Sequence, residues 1–141
     1  MDNRRPHQLG EIVDTCLTMA RANVTHGDFA EWNLLRTKTK TIVCDWESGK
    51  STCLPLYDLA HYIVQAGTLL RKWSAEDAVA LLSGPDSPGS RYASGIGISL
   101  MESRRWLASY LEDTMNQPGV VGREAEYRRS MLAHLPRLPS L

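Results

Sequence analysis

The sequence predicts an α+β fold that is mostly helical and wrapped around one β-hairpin. Three observations predict it. Apolar residues recur at helical spacing through most of the chain, a single β-branched run stands among them, and a polar turn immediately precedes that run.

The first element is a helix from Leu9 to near Asn23, because Leu9, Ile12, Val13, Cys16, Leu17 and Ala20 fall at i, i+3, i+4 and i+7 and make one buried stripe. From Val24 to Glu47 the pattern changes to a loop carrying Gly27, then Asn33-Leu34-Leu35-Arg36, the polar turn Thr37 to Lys40, and the β-branched run Thr41 to Cys44. This spacing predicts a loop followed by a hairpin. Pro55 stands where a second helix can start, with Asp58 in its first turn and Leu56, Leu59, Ala60, Ile63 and Gly67 at helical spacing. Ser74 with Asp77 three residues on has the capping-box form, Ala78, Leu81 and Leu82 supply an apolar face, and Gly84 stops that helix. The two prolines and two glycines between Gly84 and Ser90 predict a loop. A long helix is expected from about Tyr92 to Met115, with Ile96, Leu100, Leu107 and Leu111 on one side. Pro118-Gly119 breaks it, and a final helix runs from about Glu124 to Leu135.

The 141 residues fit one domain spanning positions 1–141. Lys and Arg number 16, as do Asp and Glu, so the net charge is zero and the total implies no nucleic-acid footprint. Arg4-Arg5, Arg104-Arg105 and Arg128-Arg129 read as solvated helix faces, since no stacking aromatics interleave them. Cys16, Cys44 and Cys53 form no C-x-x-C pair and have no flanking His at ligand spacing, which argues against zinc and for free thiols in a reducing cytoplasm. No apolar run approaches the roughly 18 residues of a membrane span, so the chain is expected to be cytoplasmic and off the membrane.

Chemistry concentrates in Thr25-His26-Gly27-Asp28-Phe29-Ala30-Glu31-Trp32-Asn33 and in Asp45-Trp46-Glu47 after the strand. Phosphoryl transfer to a hydroxyl needs an acceptor for the alcohol proton and oxygen ligands for magnesium. Asp28 can be the first, and Asn33 with Asp45 the second. Asn33 follows Asp28 by five residues, the interval of the H-R-D-x-x-x-x-N pattern, which lets the base face a substrate while the amide turns back toward a metal. Taken singly, Asp28 and Asn33 also suit ordinary turns beside Gly27, and Asp45 suits a strand end. His26, Trp32 and Trp46 read as structural and packing residues. Gly95-Ile96-Gly97 lacks the Lys-Ser/Thr of a phosphate loop and follows the catalytic segment, so it is excluded as one.

His26-Gly27-Asp28 with Asn33, then Asp45-Trp46-Glu47, then Tyr57-Asp58-Leu59-Ala60 resembles the H-G-D-x-x-x-x-N, D-W-E and D-L-A series of the aminoglycoside phosphotransferase and choline kinase-like family. The resemblance covers about Leu9 to Leu70. It implies the C-terminal lobe of a protein-kinase-like fold and an ATP- and Mg2+-dependent phosphotransferase acting on a small hydroxylated molecule. It further implies that Asp28 is the catalytic base, that Asn33 and Asp45 bind the metal, and that Asp58 braces the catalytic loop. Glu31 departs from the Pro that close relatives often carry and is expected to loosen the loop. A kinase of this fold also needs a Gly-rich strand pair and a strand Lys before the catalytic loop. The 25 residues before His26 read as one helix instead, and Lys38 and Lys40 lie downstream in the hairpin turn. The expectation is a truncated lobe with an incomplete ATP site, inactive by itself, that self-associates or meets a separate N-terminal lobe. A catalytically silent binding module is the alternative.

Overall fold

A computed structural model describes residues 8–136, and Arg4-Arg5 lie outside them. The described residues form six α-helices, one 3-10 turn (Glu31–Asn33) and a two-stranded sheet: α1 (Leu9–Arg21), β1 (Leu34–Arg36), β2 (Thr41–Val43), α2 (Tyr57–Leu69), α3 (Ala75–Ser83), α4 (Pro88–Ile96), α5 (Leu100–Met115) and α6 (Arg123–His134). The expected mostly helical α+β architecture with one hairpin is what forms.

The centre is α2. Leu59, Ala60, Tyr62, Ile63, Val64 and Ala66 are all buried, so it is apolar nearly all round, as a helix surrounded by others must be. It packs against α1, α3, α5 and α6, while α4 bridges α1 to α3 and α5. Ile12, Val13 and Cys16 of α1, Phe29 of the loop, Leu82 of α3, Leu107 and Leu111 of α5 and Met131 of α6 complete one continuous core. The antiparallel hairpin pairs Leu34 with Val43, Leu35 with Ile42 and Arg36 with Thr41. Because side chains alternate along a strand, Leu34 is buried in the core while Leu35 and Ile42 stand exposed on the other face.

Several expectations are corrected. The second helix begins at Tyr57, not Pro55, because Leu56 takes a left-handed conformation at φ 67° immediately before it. That conformation disfavours a branched side chain, and Leu56 tolerates it because its own side chain is fully buried in the core. The loop expected up to Ser90 ends early: Pro88 occupies the first turn of α4, and the Ser87 hydroxyl caps it by accepting from the Ser90 amide. The long helix expected over 92–115 is two helices. Gly97 at φ 78° closes α4, and Ser99 with Glu102 forms a capping box that starts α5 afresh. The Arg128-Arg129 face is solvated only at Arg129, because Arg128 is 1% exposed and donates from Nε to Thr114 Oγ1 at 2.9 Å and from a terminal nitrogen to the Glu124 carbonyl at 3.1 Å.

Gly89 shows how tightly α3 and α4 meet. A Cβ there would overlap the Leu82 carbonyl, a backbone group that cannot rotate away. Gly89→Ala is therefore expected to destabilise the fold by about 1–3 kcal/mol, read as a lowered urea midpoint with unchanged slope. An unchanged midpoint would mean that the two helices are not held at this separation.

Candidate active site

The loop between α1 and β1 is held by its backbone. Thr25, 1% exposed, exchanges two backbone bonds with Lys50, at 3.0 and 2.8 Å, and its hydroxyl donates to the Thr52 carbonyl and accepts from the Leu54 amide. Segment 48–54 is thereby hung on the residue before His26. Gly27 has φ 90°, and a Cβ there would lie 2.5 Å from the Ser48 carbonyl oxygen, so glycine is demanded by both conformation and space.

Asp58 lies under this turn. Its Oδ2 accepts from the His26 amide at 2.7 Å and its Oδ1 from the Gly27 amide at 3.0 Å. Burial raises its pKa above the ordinary 3.8, against the opposing pull of those two N–H donors. His26 is fully buried. Its Nδ1 accepts from the Asp28 amide at 3.1 Å, which leaves Nε2 to donate to the Cys44 carbonyl at 2.8 Å. The ring is thus a strut between the loop and the end of β2.

Asn33 closes the loop. Its Nδ2 donates to the Asp28 carbonyl at 2.8 Å, which puts Oδ1, the atom able to ligate a cation, on the other side of the amide. Its own carbonyl accepts from Cys44 N at 2.8 Å, so the hairpin register carries Asp45 to the end of the sheet where Asn33 sits. Asp45 is exposed and adopts φ 60°, an uncommon conformation that Asp tolerates better than most residues and that clusters at functional sites. Among the described residues no three of His, Cys, Asp and Glu converge into a metal cage. One carboxylate with one amide oxygen is nonetheless the kind of sparse protein set that suits Mg2+, which keeps several waters and takes other ligands from phosphates.

The Asp28 side chain is 45% exposed, and its Oδ1 lies 3.1 Å from His61 Nε2 on α2. Its Oδ2 is 3.5 Å from Asn33 Nδ2, too far for a strong bond. The structure thus joins His26, Asp28, Asn33 and Asp58 through direct hydrogen bonds, and brings Asp45 alongside through Cys44.

Sequence reasoning missed the roles of three contributors and left Thr25 without one. His61, Tyr110 and Arg128 are polar residues buried among apolar ones, and that burial is their only signal. Glu31 was expected to loosen the loop, but the Tyr62 hydroxyl donates to Glu31 Oε2 at 2.5 Å and ties the loop to α2. Trp32 and Trp46, read as packing residues, are 51% and 44% exposed. Trp46 rests edge-on against His26, with ring centroids 4.7 Å apart, and its indole N–H donates to the Val43 carbonyl.

Compared with protein-family models, with curated proteins and with solved structures, the chain matches none.

Proposed function

We propose that this chain carries the catalytic half of a Mg2+- and ATP-dependent phosphotransferase acting on a small hydroxylated molecule, in the manner of the C-terminal lobe of a protein-kinase-like fold. The observation that carries the reading is the 2.8 Å bond from Asn33 Nδ2 to the Asp28 carbonyl, made across a five-residue loop while the hairpin returns Asp45 to the same end. That bond aims one carboxylate outward and leaves an amide oxygen and a second carboxylate for a cation. In the reaction, the acceptor oxygen bonds to the γ-phosphorus, the bond from that phosphorus to the β-phosphate oxygen breaks to release ADP, and the alcohol proton passes to Asp28. Bound magnesium would supply charge neutralisation to the phosphates. Asn33 and Asp45 would hold it, and the exposed Leu35 and Ile42 offer an apolar floor for a base.

The remaining contacts to the triphosphate come from a separate lobe, because the described residues contain a single two-stranded sheet and no Gly-rich strand pair. Such a lobe would also cover Trp32, Leu35 and Ile42. The same exposed face suits a second reading, a catalytically silent nucleotide-binding module.

The test is nucleotide binding and transfer by the purified chain. Weak, Mg2+-dependent ATP binding is expected by titration with a fluorescent analogue, together with slow appearance of phosphorylated product in a panel of sugars and amino alcohols. Asp45→Ala should raise the Mg2+ midpoint roughly tenfold by removing a charged ligand from a hard cation. Binding indifferent to Mg2+, or an unmoved midpoint in the variant, would defeat the reading. Binding without any product, even when an ATP-gripping lobe is fused ahead of Leu9, would favour the silent module.

A further inference from the structure

Behind Asp28 runs a file of buried polar groups that the proposed chemistry does not require. The His61 side chain is 11% exposed, with Nε2 3.1 Å from Asp28 Oδ1 and Nδ1 2.8 Å from the Tyr110 hydroxyl on α5. Tyr110 is itself buried, and the positive charge of Arg128 of α6 lies near enough to favour negative charge on its oxygen. Arg128 has no carboxylate in an ion pair with it among the described residues, although it is almost fully buried. An isolated buried guanidinium costs several kcal/mol by rough reckoning, so the polar groups arrayed around it are expected to point their negative ends at it.

The donor directions follow from the end groups. Arg128 can only donate, and its bonds go to Thr114 Oγ1 and the Glu124 carbonyl, so it acts on Tyr110 as a nearby positive charge. A carboxylate can only accept, so His61 Nε2 carries a proton toward Asp28. The neutral ring then accepts at Nδ1 from the Tyr110 O–H. Both bonds point the same way, from the Tyr110 hydroxyl through His61 to the exposed carboxylate, and bonds in such a chain polarise one another.

We propose that His61 is the positioning residue of the Asp28 carboxylate, held in its Nε2–H tautomer by Tyr110 and, through Tyr110, by the buried charge of Arg128. The assignment of a catalytic consequence rests on the reading of Asp28 as the base. With Oδ1 committed to His61, Oδ2 is the oxygen left to meet the acceptor hydroxyl. A neutral ring suits this task, since an imidazolium would weaken the base beside it. Burial lowers the His61 pKa below 6.5 and outweighs the opposing effect of Asp28. The groups facing the ring are Asp28 and His26 of the loop, Tyr57 of the same helix with its ring stacked at 6.2 Å, Tyr110 of α5 and Arg128 of α6.

Histidine ring nitrogen resonances of the 15N-labelled chain test the file without any turnover. At pH 7 the His61 ring should be neutral with its proton on Nε2, and Tyr110→Phe, which keeps the ring and removes the hydroxyl, should shift the tautomer balance toward Nδ1–H while the amide spectrum stays native. A wild-type ring protonated at Nδ1, a ring charged at pH 7, or a tautomer unmoved by Tyr110→Phe would overturn the proposal. In preparations that turn over, His61→Ala should lower kcat roughly tenfold with KM for MgATP unchanged, and His61→Gln should restore most of the loss by supplying an N–H in place of Nε2. Equal kcat in wild type and His61→Ala would also overturn it. If no acceptor is ever phosphorylated, the proposed function fails, and the tautomer alone decides the positioning role.

Discussion

Asp28→Asn is expected to lower turnover by about 10²- to 10⁴-fold, the usual range for loss of general-base assistance. The measurement belongs in a fusion that supplies an ATP-gripping lobe ahead of Leu9, where the rate is high enough to read such a loss. The substitution is close to isosteric. An amide oxygen can still accept from His61 Nε2 at the position of Oδ1, now 3.1 Å away, so the loop keeps its frame. What disappears is the ability to take a proton from the acceptor hydroxyl. Nucleotide affinity should be little changed, because Asp28 is bonded to Asn33 through its backbone carbonyl, and that bond survives the exchange. A variant with full turnover would show that Asp28 is not the base. A variant with lost turnover and lost nucleotide affinity together would point to collapse of the metal site instead.

The legible part of this molecule was the part written in local periodicity and local spacing. The stripe from Leu9 to Ala20 gave α1 to within two residues, and the polar turn between Leu34 and Thr41 gave the hairpin, though not its register. Boundaries failed where a single backbone angle overrode the pattern. Leu56 reads as a helical residue but occupies the left-handed region, and Gly97 reads as interior to a helix that it ends. Apolar spacing continues smoothly across both positions, so periodicity has no means of marking them. Within the candidate site, the short segment Asp28 to Asn33 declared itself because both residues lie on one loop. His61, Tyr110 and Arg128 stayed silent because their partners are 33, 49 and 14 residues away in sequence. Arg128 in particular sits beside a second arginine in a polar helix, and nothing local distinguishes the buried residue of that pair from the solvated one.

Asp58→Ala should be the most damaging single change to the frame, at about 3–5 kcal/mol, the range for removing one partner of a buried charged interaction. The loss has an identifiable origin. Asp58 satisfies two amides at once, those of His26 and Gly27, and both lie in the turn that sets the position of Asp28. An alanine methyl satisfies neither, and a buried unpaired N–H costs roughly 1–3 kcal/mol. Asp58→Asn should fall between, because its amide has one oxygen to offer and turns its NH2 toward the second donor. The pH dependence separates this from a simple packing defect. Burial raises the Asp58 pKa, so the native state holds a proton more tightly than the unfolded chain, whose value is near 3.8. The contribution of that group to stability is therefore full below 3.8 and is lost as pH rises through the raised native value. His61 has the opposite sign: its lowered pKa means that the unfolded chain binds a proton more readily, so its contribution is full above 6.5 and is lost as pH falls toward the native value. In wild type the two slopes oppose each other wherever their windows overlap, and in Asp58→Asn only the His61 slope remains. Urea midpoints measured between pH 4 and 8 should thus fall more steeply on acidification in the variant than in wild type. Parallel curves would mean that the Asp58 carboxyl titrates alike in the folded and unfolded chain, and that burial does not raise its pKa over the opposing pull of the two amides.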